Sequence, residues 1–282
     1  MRVEFTKYQG LGNDFVLVDN RHQSQPCLTP AQAVQICDRN FGVGADGVIF
    51  ALPSVKNTDY RLRIYNSDGS EPEMCGNGIR CLARFLAQLE GQPATATVTY
   101  RIDTLAGVIT PRLQANGQVE VEMSPPYLAA DQIPTTLASG QPQVINQPLA
   151  VAGQTWSVTC LSMGNPHCVI FVEDLEAIDL TILGPQFEHH PQFPQRINTE
   201  FIQVLRPDYL KMRVWERGAG LTLACGTGAC AALVAGVLTG HCQGEATIEL
   251  PGGPLLIRWM GQGHPVYMTG PAEQVFTGVL DL

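Results

Sequence analysis

The sequence predicts an α+β protein made of two pseudo-symmetric domains that arose by tandem duplication. The first observation is a cysteine followed by Gly-x-Gly and an apolar run, found at Cys75 and again at Cys225. The second is that other features keep nearly the same offset, since Gly12-Asn13 is matched by Gly164-Asn165. We therefore expect each half to be a curled, mostly antiparallel sheet around a central apolar helix, with an active-site cleft between the halves.

The first half alternates strand, turn and helix signals. Thr29 is a predicted N-cap and Pro30 the first helical position of a helix over residues 29–38. Apolar patterning and turn residues, including a hairpin turn at Asn116-Gly117, place β-like segments on either side of this helix. These predicted segments are residues 3–8, 15–19, 48–52, 60–65, 94–112 and 119–123. The letters Gly-x-Gly-x-x-Gly over 42–47 follow a helix and precede a strand, so they do not indicate dinucleotide binding.

The loop at Cys75 leads into a helix that ends before Gly91, because Ile79, Leu82 and Leu86 recur on one face. A thiol at a helix N-terminus meets unpaired N–H groups and the positive end of the helix dipole, which favour the thiolate. Most cysteines without a disulfide are buried packing residues, so one such loop alone leaves both interpretations open. The second copy at Cys225 favours a chemical role.

The second half repeats the plan after a Pro/Gln/Ser-rich stretch that runs to about residue 148, which we interpret as the domain crossing. This divides the chain into 1–125 and 126–271. Strands are predicted at 154–161, 168–172, 199–205 and 211–215, and helices from residue 180 and over 229–238. The last of these is apolar on all sides, which is typical of a helix buried inside a curled sheet.

Two thiols, one from each half, are the groups that a two-base racemase or epimerase requires. One sulfur, as thiolate, removes an α-hydrogen, and the other, as thiol, returns a proton to the opposite face. Stereochemistry is then inverted without a redox step.

Composition narrows the function further. With 282 residues and a net charge of −9 the chain has no basic face, so nucleic acid and anionic membranes are not expected partners. Lysine is scarce, which disfavours a Schiff-base cofactor. Nine cysteines without a secretory signal indicate a reducing, cytoplasmic setting. No C-x-x-C occurs, and the His189-His190 pair lacks neighbouring ligands, so no metal site is expected.

Five motifs together resemble the diaminopimelate epimerase family. They are Gly10–Phe15, Met74–Cys81, Ser162–His167, Arg196–Phe201 and Glu216–Cys230, in the order that the family has them. The resemblance implies a cofactor-independent epimerase that interconverts LL- and meso-2,6-diaminopimelate in lysine and peptidoglycan precursor biosynthesis. It also implies a cytoplasmic homodimer whose last residues, 272–282, return to the N-terminal half.

The resemblance assigns Cys75 and Cys225 as the catalytic acid and base, with His167 and Glu216 tuning them. Independently of it, Arg217 beside a glycine loop suits bidentate pairing with a carboxylate. The substrate-binding residues that the resemblance implies are Asn13, Asn66, Gly76, Asn77, Asn165, Asn198, Glu216, Arg217, Gly226 and Thr227. Two positions depart from the family pattern: Gly47, where many relatives have a substrate-contacting Gln, and Leu221, where Glu is frequent.

Two other functions fit parts of the pattern. A proline or hydroxyproline racemase has a related plan, but its site would be closed and apolar where a distal amino-acid group needs amide and guanidinium partners. A redox sensor with a Cys75–Cys225 disulfide would use the same two cysteines but would not catalyse a reaction. An epimerase assay under reductant distinguishes such a sensor from an epimerase.

Overall fold

The structure is a computed structural model that describes residues 1–55, 57–137 and 140–282. Its strands in chain order are β1 (Arg2–Gly10), β2 (Asn13–Asp19), β3 (Gly47–Pro53), β4 (Tyr60–Asn66), β5 (Ile102–Thr104), β6 (Gly107–Ile109), β7 (Pro111–Leu113), β8 (Val119–Glu122), β9 (Val144–Val151), β10 (Gln154–Ser162), β11 (Pro166–Val172), β12 (Asn198–Arg206), β13 (Tyr209–Glu216), β14 (Gly220–Leu221), β15 (Glu245–Leu250), β16 (Gly253–Trp259), β17 (Val266–Gly270) and β18 (Glu273–Asp281). Its α-helices are α1 (Pro30–Cys37), α2 (Gly76–Leu89), α3 (Leu180–Glu188) and α4 (Gly226–Thr239).

The chain forms two compact units. The first unit contains residues 1–122 and 269–282, and the second contains residues 123–268. The sheet of the first unit has the order β18-β1-β2-β3-β4-β5-β6, so the C-terminal strand β18 lies antiparallel beside β1. In the second unit the strand order is β17-β16-β15-β13-β12-β11-β10-β9, with β14 paired to β13. The predicted mixed α+β architecture of two repeated units is confirmed.

The duplication is visible in the strand pairing. In the first unit β1 and β2 are antiparallel, β2 and β3 are parallel, and β3 and β4 are antiparallel. The second unit repeats this sequence of directions in β10, β11, β12 and β13. In both units a helix, α1 or α3, connects the parallel pair, as a crossover requires.

The register makes individual positions of the two units comparable. Phe15 lies opposite Gly47, and Leu17 lies opposite Ile49. In the second unit His167 lies opposite Asn198, and Val169 lies opposite Glu200. Asn13 is the first residue of β2, and its repeat equivalent Asn165 directly precedes β11. Phe15 is therefore the counterpart of His167, and Ile49 is the counterpart of Glu200.

Each sheet packs on one central helix of fourteen residues. In α4, every residue from Gly228 to Gly236 is buried, and the side chains are mostly alanine, leucine and valine. In α2, Arg80 is also fully buried; it donates hydrogen bonds to the Gly76 carbonyl and to Asn77 Oδ1 inside the unit. Burial on all sides fixes where each helix begins, and therefore where its N-terminal cysteine lies.

Several sequence predictions differ from the observed elements. Residues 94–101 form no strand and make only an isolated bridge from Thr99 to Arg112, and a turn occupies residues 94–95 at the start of the segment. Conversely, strand β9 begins within the stretch interpreted as the domain crossing and extends past its end. Two residues of that stretch, Ala138 and Ser139, fall outside the described residues. Among the described residues, no helix is long and apolar enough to cross a membrane.

Candidate active site

Cys75 is the N-cap of α2, with extended backbone angles and its sulfur turned toward the first helical turn. The Gly78 N–H donates to Cys75 Sγ at 3.4 Å, and the thiol lies 3.8 Å from Asn13 Oδ1. A Cβ on Gly78 would lie 2.9 Å from Ile49 Cδ1, closer than an ordinary contact. The glycine lets the first helical turn lie close to the sheet beneath it.

Amide side chains surround Cys75. Asn13 Oδ1 also accepts from Asn77 Nδ2 at 3.2 Å, and Asn13 Nδ2 donates to Asp46 Oδ2 at 2.5 Å. Asn77 is itself fixed, because Arg80 donates to its Oδ1 at 2.9 Å. The series of hydrogen bonds from Asp46 through Asn13 and Asn77 to Arg80 therefore allows each amide one orientation. In this orientation the carbonyl oxygen of Asn13 faces the thiol of Cys75.

Ion pairs hold the loop that carries Asp46. Lys7 Nζ lies 2.6 Å from Asp14 Oδ2, and Arg39 bridges Asp14 and Asp46. Burial alone would raise the pKa of Asp14, but hydrogen bonds from Arg39 and Lys7 lower it below its ordinary value. Asp14 therefore remains a carboxylate, and the loop stays anchored at neutral pH.

Cys225 is the N-cap of α4 and is 4% exposed. Its sulfur lies 3.6 Å from Thr227 Oγ1. Burial raises the pKa of Cys225 well above its usual range, the negative charges of Glu216 and Glu200 raise it further, and the hydrogen bond with Thr227 opposes them. In this environment Cys225 is a thiol at neutral pH and can serve as a proton donor.

A line of hydrogen bonds leads from Cys225 into the core of the second unit. Thr227 Oγ1 accepts from Asn165 Nδ2 at 3.2 Å, and Asn165 Oδ1 lies 3.0 Å from His167 Nε2. The other ring nitrogen, Nδ1, lies 2.6 Å from Glu200 Oε1. Both His167 and Glu200 are fully buried.

Glu216, Asn198 and Arg217 lie at the end of β13 and on the neighbouring strand β12. Glu216 Oε1 accepts a hydrogen bond from Thr222 at 2.5 Å. Asn198 is buried; it donates to the Pro166 carbonyl at 2.7 Å and accepts from the Arg217 N–H at 2.9 Å. Asn198 thus fixes the backbone that presents Arg217.

Glu188, which the sequence did not suggest, binds the backbone and side chain on either side of Arg217. Its carboxylate accepts from the Trp215 indole N–H at 2.7 Å and from the Gly218 N–H at 2.9 Å. Burial acts to raise the pKa of Glu188, but these two hydrogen bonds leave it lowered overall. A buried carboxylate on an amphipathic helix is visible in the sequence only as an acidic residue at the helix end.

The structure gathers the sequence-predicted residues into two groups. In the first unit, Asn13, Cys75, Gly76 and Asn77 form one cluster, while the Asn66 side chain instead donates to Ser70. In the second unit one cluster contains Asn165, His167, Glu216, Cys225, Gly226 and Thr227. Sequence reasoning missed Asp46 and Glu200, which fix the members of these clusters.

The two departures from the family pattern have structural consequences. A Cβ on Gly47 would lie 2.8 Å from the Tyr65 carbonyl oxygen, so this backbone has no room for a longer side chain. Leu221 lies on the short strand β14 and is half exposed. Within the described ranges, no group of three His, Cys, Asp or Glu side chains is arranged to hold a metal ion.

Two repeated units, each with a thiol at the start of its central helix, define the epimerase and racemase class. A solved structure with this fold is the hydroxyproline epimerase from Agrobacterium vitis with bound trans-4-OH-L-proline; the TM-score is 0.70 at 13% identity, covering 100% of this chain and 93% of that one. At this identity the likeness concerns the fold alone.

The chain belongs to the diaminopimelate epimerase family, whose model matches residues 5–129 and 159–275. A diaminopimelate epimerase from Acaryochloris marina is 76% identical over 281 residues, covering 100% of this chain and 99% of the relative. One from Nostoc punctiforme is 69% identical over 280 residues, covering 99% and 100%. The family resemblance of the sequence motifs is confirmed.

Proposed function

We propose that this chain is an isomerase that interconverts LL-2,6-diaminopimelate and meso-2,6-diaminopimelate in lysine and peptidoglycan precursor biosynthesis. The observation that carries the proposal is the repeated thiol N-cap, Cys75 on α2 and Cys225 on α4. Full-length similarity to proteins named diaminopimelate epimerase supports the choice of substrate.

In the proposed reaction Cys75 and Cys225 are the acid–base pair. A thiolate takes the α-hydrogen of the substrate as a proton, and the electron pair stays on the α-carbon. The second cysteine, as a thiol, gives its proton to the opposite face of that carbon, and the two sulfurs exchange protonation states. The mechanism requires that both sulfurs reach one substrate carbon.

The helix starts supply the electrostatic stabilisation. The first N–H groups of a helix have no partner within it, and they coincide with the positive end of the dipole. Gly76 and Gly226 are the first residues of α2 and α4, so their backbone lies open to a substrate carboxylate. Negative charge that develops on the carbanion and its carboxylate is favoured beside these groups.

The amide and guanidinium side chains then act as substrate contacts. We assign this role to Asn13, Asn66, Asn77, Asn165, Asn198, Glu216, Arg217 and Thr227, with Gly76 and Gly226. Arg217 offers a planar fork for a carboxylate, and Glu216 an acceptor for an ammonium group. Since diaminopimelate has both groups at each end, such contacts distinguish the distal stereocentre.

His167 and Glu216 tune the acid–base pair. The charge of Glu216 raises the pKa of Cys225 and keeps it protonated, which suits the proton donor. His167 reaches the same cysteine through Asn165 and Thr227.

The cellular context completes the proposal. The chain acts in the cytoplasm as a homodimer that binds diaminopimelate, without nucleic-acid or membrane partners and without a cofactor. Sedimentation velocity of the purified chain at micromolar concentration is expected to give one species of twice the chain mass; a single species of the chain mass would contradict the dimer.

The test is conversion of LL-diaminopimelate, followed by chiral chromatography, under reductant and with a chelator present. We expect meso product from the wild type and none above background from Cys75→Ala or Cys225→Ala. Cys27→Ser and Cys242→Ser are matched controls, because these half-buried cysteines lie outside both clusters, and they should retain wild-type rates. Trans-4-hydroxy-L-proline should not be turned over. Turnover by Cys75→Ala, or inactivity of the wild type, would refute the proposal.

A further inference from the structure

Glu188 places a carboxylate between two hydrogen-bond donors of the second unit. It is the last residue of α3 and is 4% exposed. Its Oε2 accepts from the Trp215 indole N–H at 2.7 Å, and its Oε1 accepts from the Gly218 backbone N–H at 2.9 Å. A buried carboxylate is costly unless its oxygens are hydrogen-bonded, and both oxygens are bonded here. The site therefore requires two acceptors, which a carboxylate supplies and a carboxamide does not.

The two donors lie on either side of Glu216 and Arg217 in the chain. Trp215 comes directly before this pair on β13, and Gly218 comes directly after it. Glu188 therefore spans both residues with one side chain. These are the two residues that the proposed function assigns to an ammonium group and a carboxylate of the substrate.

The loop of residues 217–219, here called the Arg217 loop, does not fix its own path. Gly218 has a φ angle of 80°, and Gly220, directly after the loop, has one of 78°. Glycine enters this left-handed region as readily as the right-handed one, so hydrogen bonds from outside the loop must define its position. The Arg217 N–H donates to Asn198 Oδ1 at 2.9 Å, and the next N–H along the chain is the one bonded to the carboxylate on α3.

The Trp215 indole holds the carboxylate in turn. A Cβ on Gly184 would lie 2.3 Å from Trp215 Cδ2, so the ring lies directly against the backbone of α3. A Cβ on Gly220 would lie 3.5 Å from Trp215 Cη2, which is an ordinary contact at another edge of the ring. Because this packing fixes the indole, its N–H fixes one oxygen of Glu188, and the other oxygen stays directed at Gly218.

The exposed side chain of Arg217 keeps donors for a ligand. Its guanidinium donates to the Gln195 carbonyl oxygen at 3.3 Å. A guanidinium has five N–H donors in a planar fork, so donors remain for a carboxylate after this bond. Bidentate binding requires the plane of the fork to match that of the carboxylate, so a loop displacement of about 1 Å breaks it.

Glu216 is held independently of Glu188. It is the last residue of β13, it pairs with Gly220 of β14, and its carboxylate accepts from Thr222. Loss of the Glu188 side chain should therefore displace Arg217 and leave Glu216 in place.

We infer that Glu188 is a positioning residue for Arg217. By holding the loop that carries this guanidinium, it sets how tightly the chain binds a substrate carboxylate. The inference rests on the proposed function for the identity of that substrate. Among the described residues, the hydrogen bonds of Glu188 reach neither α2 nor α4, so its loss should weaken binding more than it slows proton transfer.

The anchor is tested without substrate, by NMR of the isotope-labelled, full-length reduced chain. The sequence has three tryptophans, and Trp215→Phe identifies the indole N–H signal of Trp215. We expect Glu188→Ala to move that signal upfield and to move the amide signal of Gly218, because both groups lose a carboxylate acceptor. The indole signals of Trp156 and Trp259 should stay, since their partners are backbone carbonyls.

Binding is tested with LL-diaminopimelate as substrate. We expect Glu188→Ala to raise KM by about tenfold or more, the size of a lost hydrogen bond to a charged group, while kcat stays within about threefold. Glu249→Ala is the matched control, because Glu249 is a half-buried acid of the second unit that accepts from the Tyr209 hydroxyl at 3.0 Å. This control should keep KM within about twofold. A residue that only stabilises the fold would lower the unfolding temperature and leave KM unchanged.

A double-mutant cycle links the effect to the guanidinium. In an Arg217→Ala chain there is no guanidinium to position, so Glu188→Ala should then lower kcat/KM by less than about threefold. An equal loss of kcat/KM in both backgrounds would show that Glu188 affects binding by another route, and would overturn the inference.

Glu188→Gln keeps the test decisive if the alanine variant does not fold. Its amide has one acceptor for two donors, so it should still move at least one of the two NMR signals and raise KM by about threefold or more. Unmoved signals, or moved signals with an unchanged KM, would overturn the inference and leave the proposed function standing. An inactive wild type whose variant signals move as expected would refute the proposed function and leave the anchoring of the Arg217 loop standing.

Discussion

Gly228 lies where the start of α4 approaches the sheet, and its replacement by alanine tests that contact. A Cβ at this position would lie 2.8 Å from Glu200 Oε1 and 3.2 Å from Cys225 Sγ, both closer than ordinary contacts. The carboxyl oxygen cannot simply turn aside, because it is held by His167 at 2.6 Å. The carboxyl, the sulfur or the helix must therefore shift by several tenths of an ångström.

The expected cost follows from these distances. Overpacking a dense core costs about 1–3 kcal/mol, and alanine returns up to ~1 kcal/mol of helix propensity, so Gly228→Ala should lose about 1–2 kcal/mol. For a chain of this size that is a fall in Tm of about 2–4 °C. Misplacing a reacting group by less than 1 Å should lower kcat by about tenfold to a hundredfold.

The matched control is Gly78→Ala in the first unit. There the nearest atom is the terminal methyl of Ile49 at 2.9 Å, and Cys75 Sγ is at an ordinary 3.6 Å. Because an aliphatic side chain can give way without breaking a hydrogen bond, we expect a loss of less than ~1 kcal/mol. Thermal unfolding by calorimetry and the LL-to-meso rate measure both variants. A Gly228→Ala chain with wild-type Tm and kcat would refute the packing described here.

Three further predictions follow from the same structure. Unfolding in urea should require less denaturant above about pH 9. Burial raises the pKa of Cys225 in the folded chain, so as the pH rises past the pKa of this thiol in the unfolded chain, the unfolded chain ionises first and stability is lost. A flat pH profile, or the same loss of stability in Cys225→Ala, would contradict this prediction. Glu188→Ala should cost about 2–3 kcal/mol in chemical denaturation, since it removes a buried charged acceptor from the Trp215 indole N–H; a loss under ~0.5 kcal/mol would show that the bond is not formed. Asp46→Ala should raise KM several-fold with little change in Tm, because Asn13 loses the acceptor that orients it. An unchanged KM would mean either that Asn13 does not bind the substrate or that Asp46 does not orient Asn13.

The fold was predictable where the sequence repeats itself. The matched Cys-Gly-x-Gly loops and the glycine stop signals located both central helices, because backbone requirements at helix ends restrict the residue types. The duplicated strand order could not be derived from one half, but it follows once the offset of the two cysteines is recognised.

The failures of prediction have physical causes. Strand β9 was missed because three of its eight residues are exposed and the run Asn146-Gln147-Pro148 interrupts its apolar residues. The segment before Arg101 was expected to be β-like from its alternating Thr and Val residues, but a turn at residues 94–95 competes with pairing there. Such choices depend on neighbours that are distant in sequence.

Among the site residues, those at the helix starts were predictable and those behind them were not. Cys75, Cys225 and their glycines follow from local helix-start chemistry. Glu200 lies within an apolar strand, where an acidic residue normally faces solvent; only the pairing of β12 between β11 and β13, under α4, reveals that it is buried. The comparison of His167 and Glu200 with Phe15 and Ile49 requires the strand register.

The central claim is that two thiols of one chain, Cys75 and Cys225, act as separate bases on one substrate carbon. Its most direct test is the reaction of LL-diaminopimelate in D₂O, stopped at less than a tenth of conversion and analysed by mass spectrometry of the separated isomers. With two bases, the meso product carries one solvent deuterium while the recovered LL substrate remains protiated. Deuterium in substrate and product to the same extent would mean that a single base serves both faces, and would contradict the account.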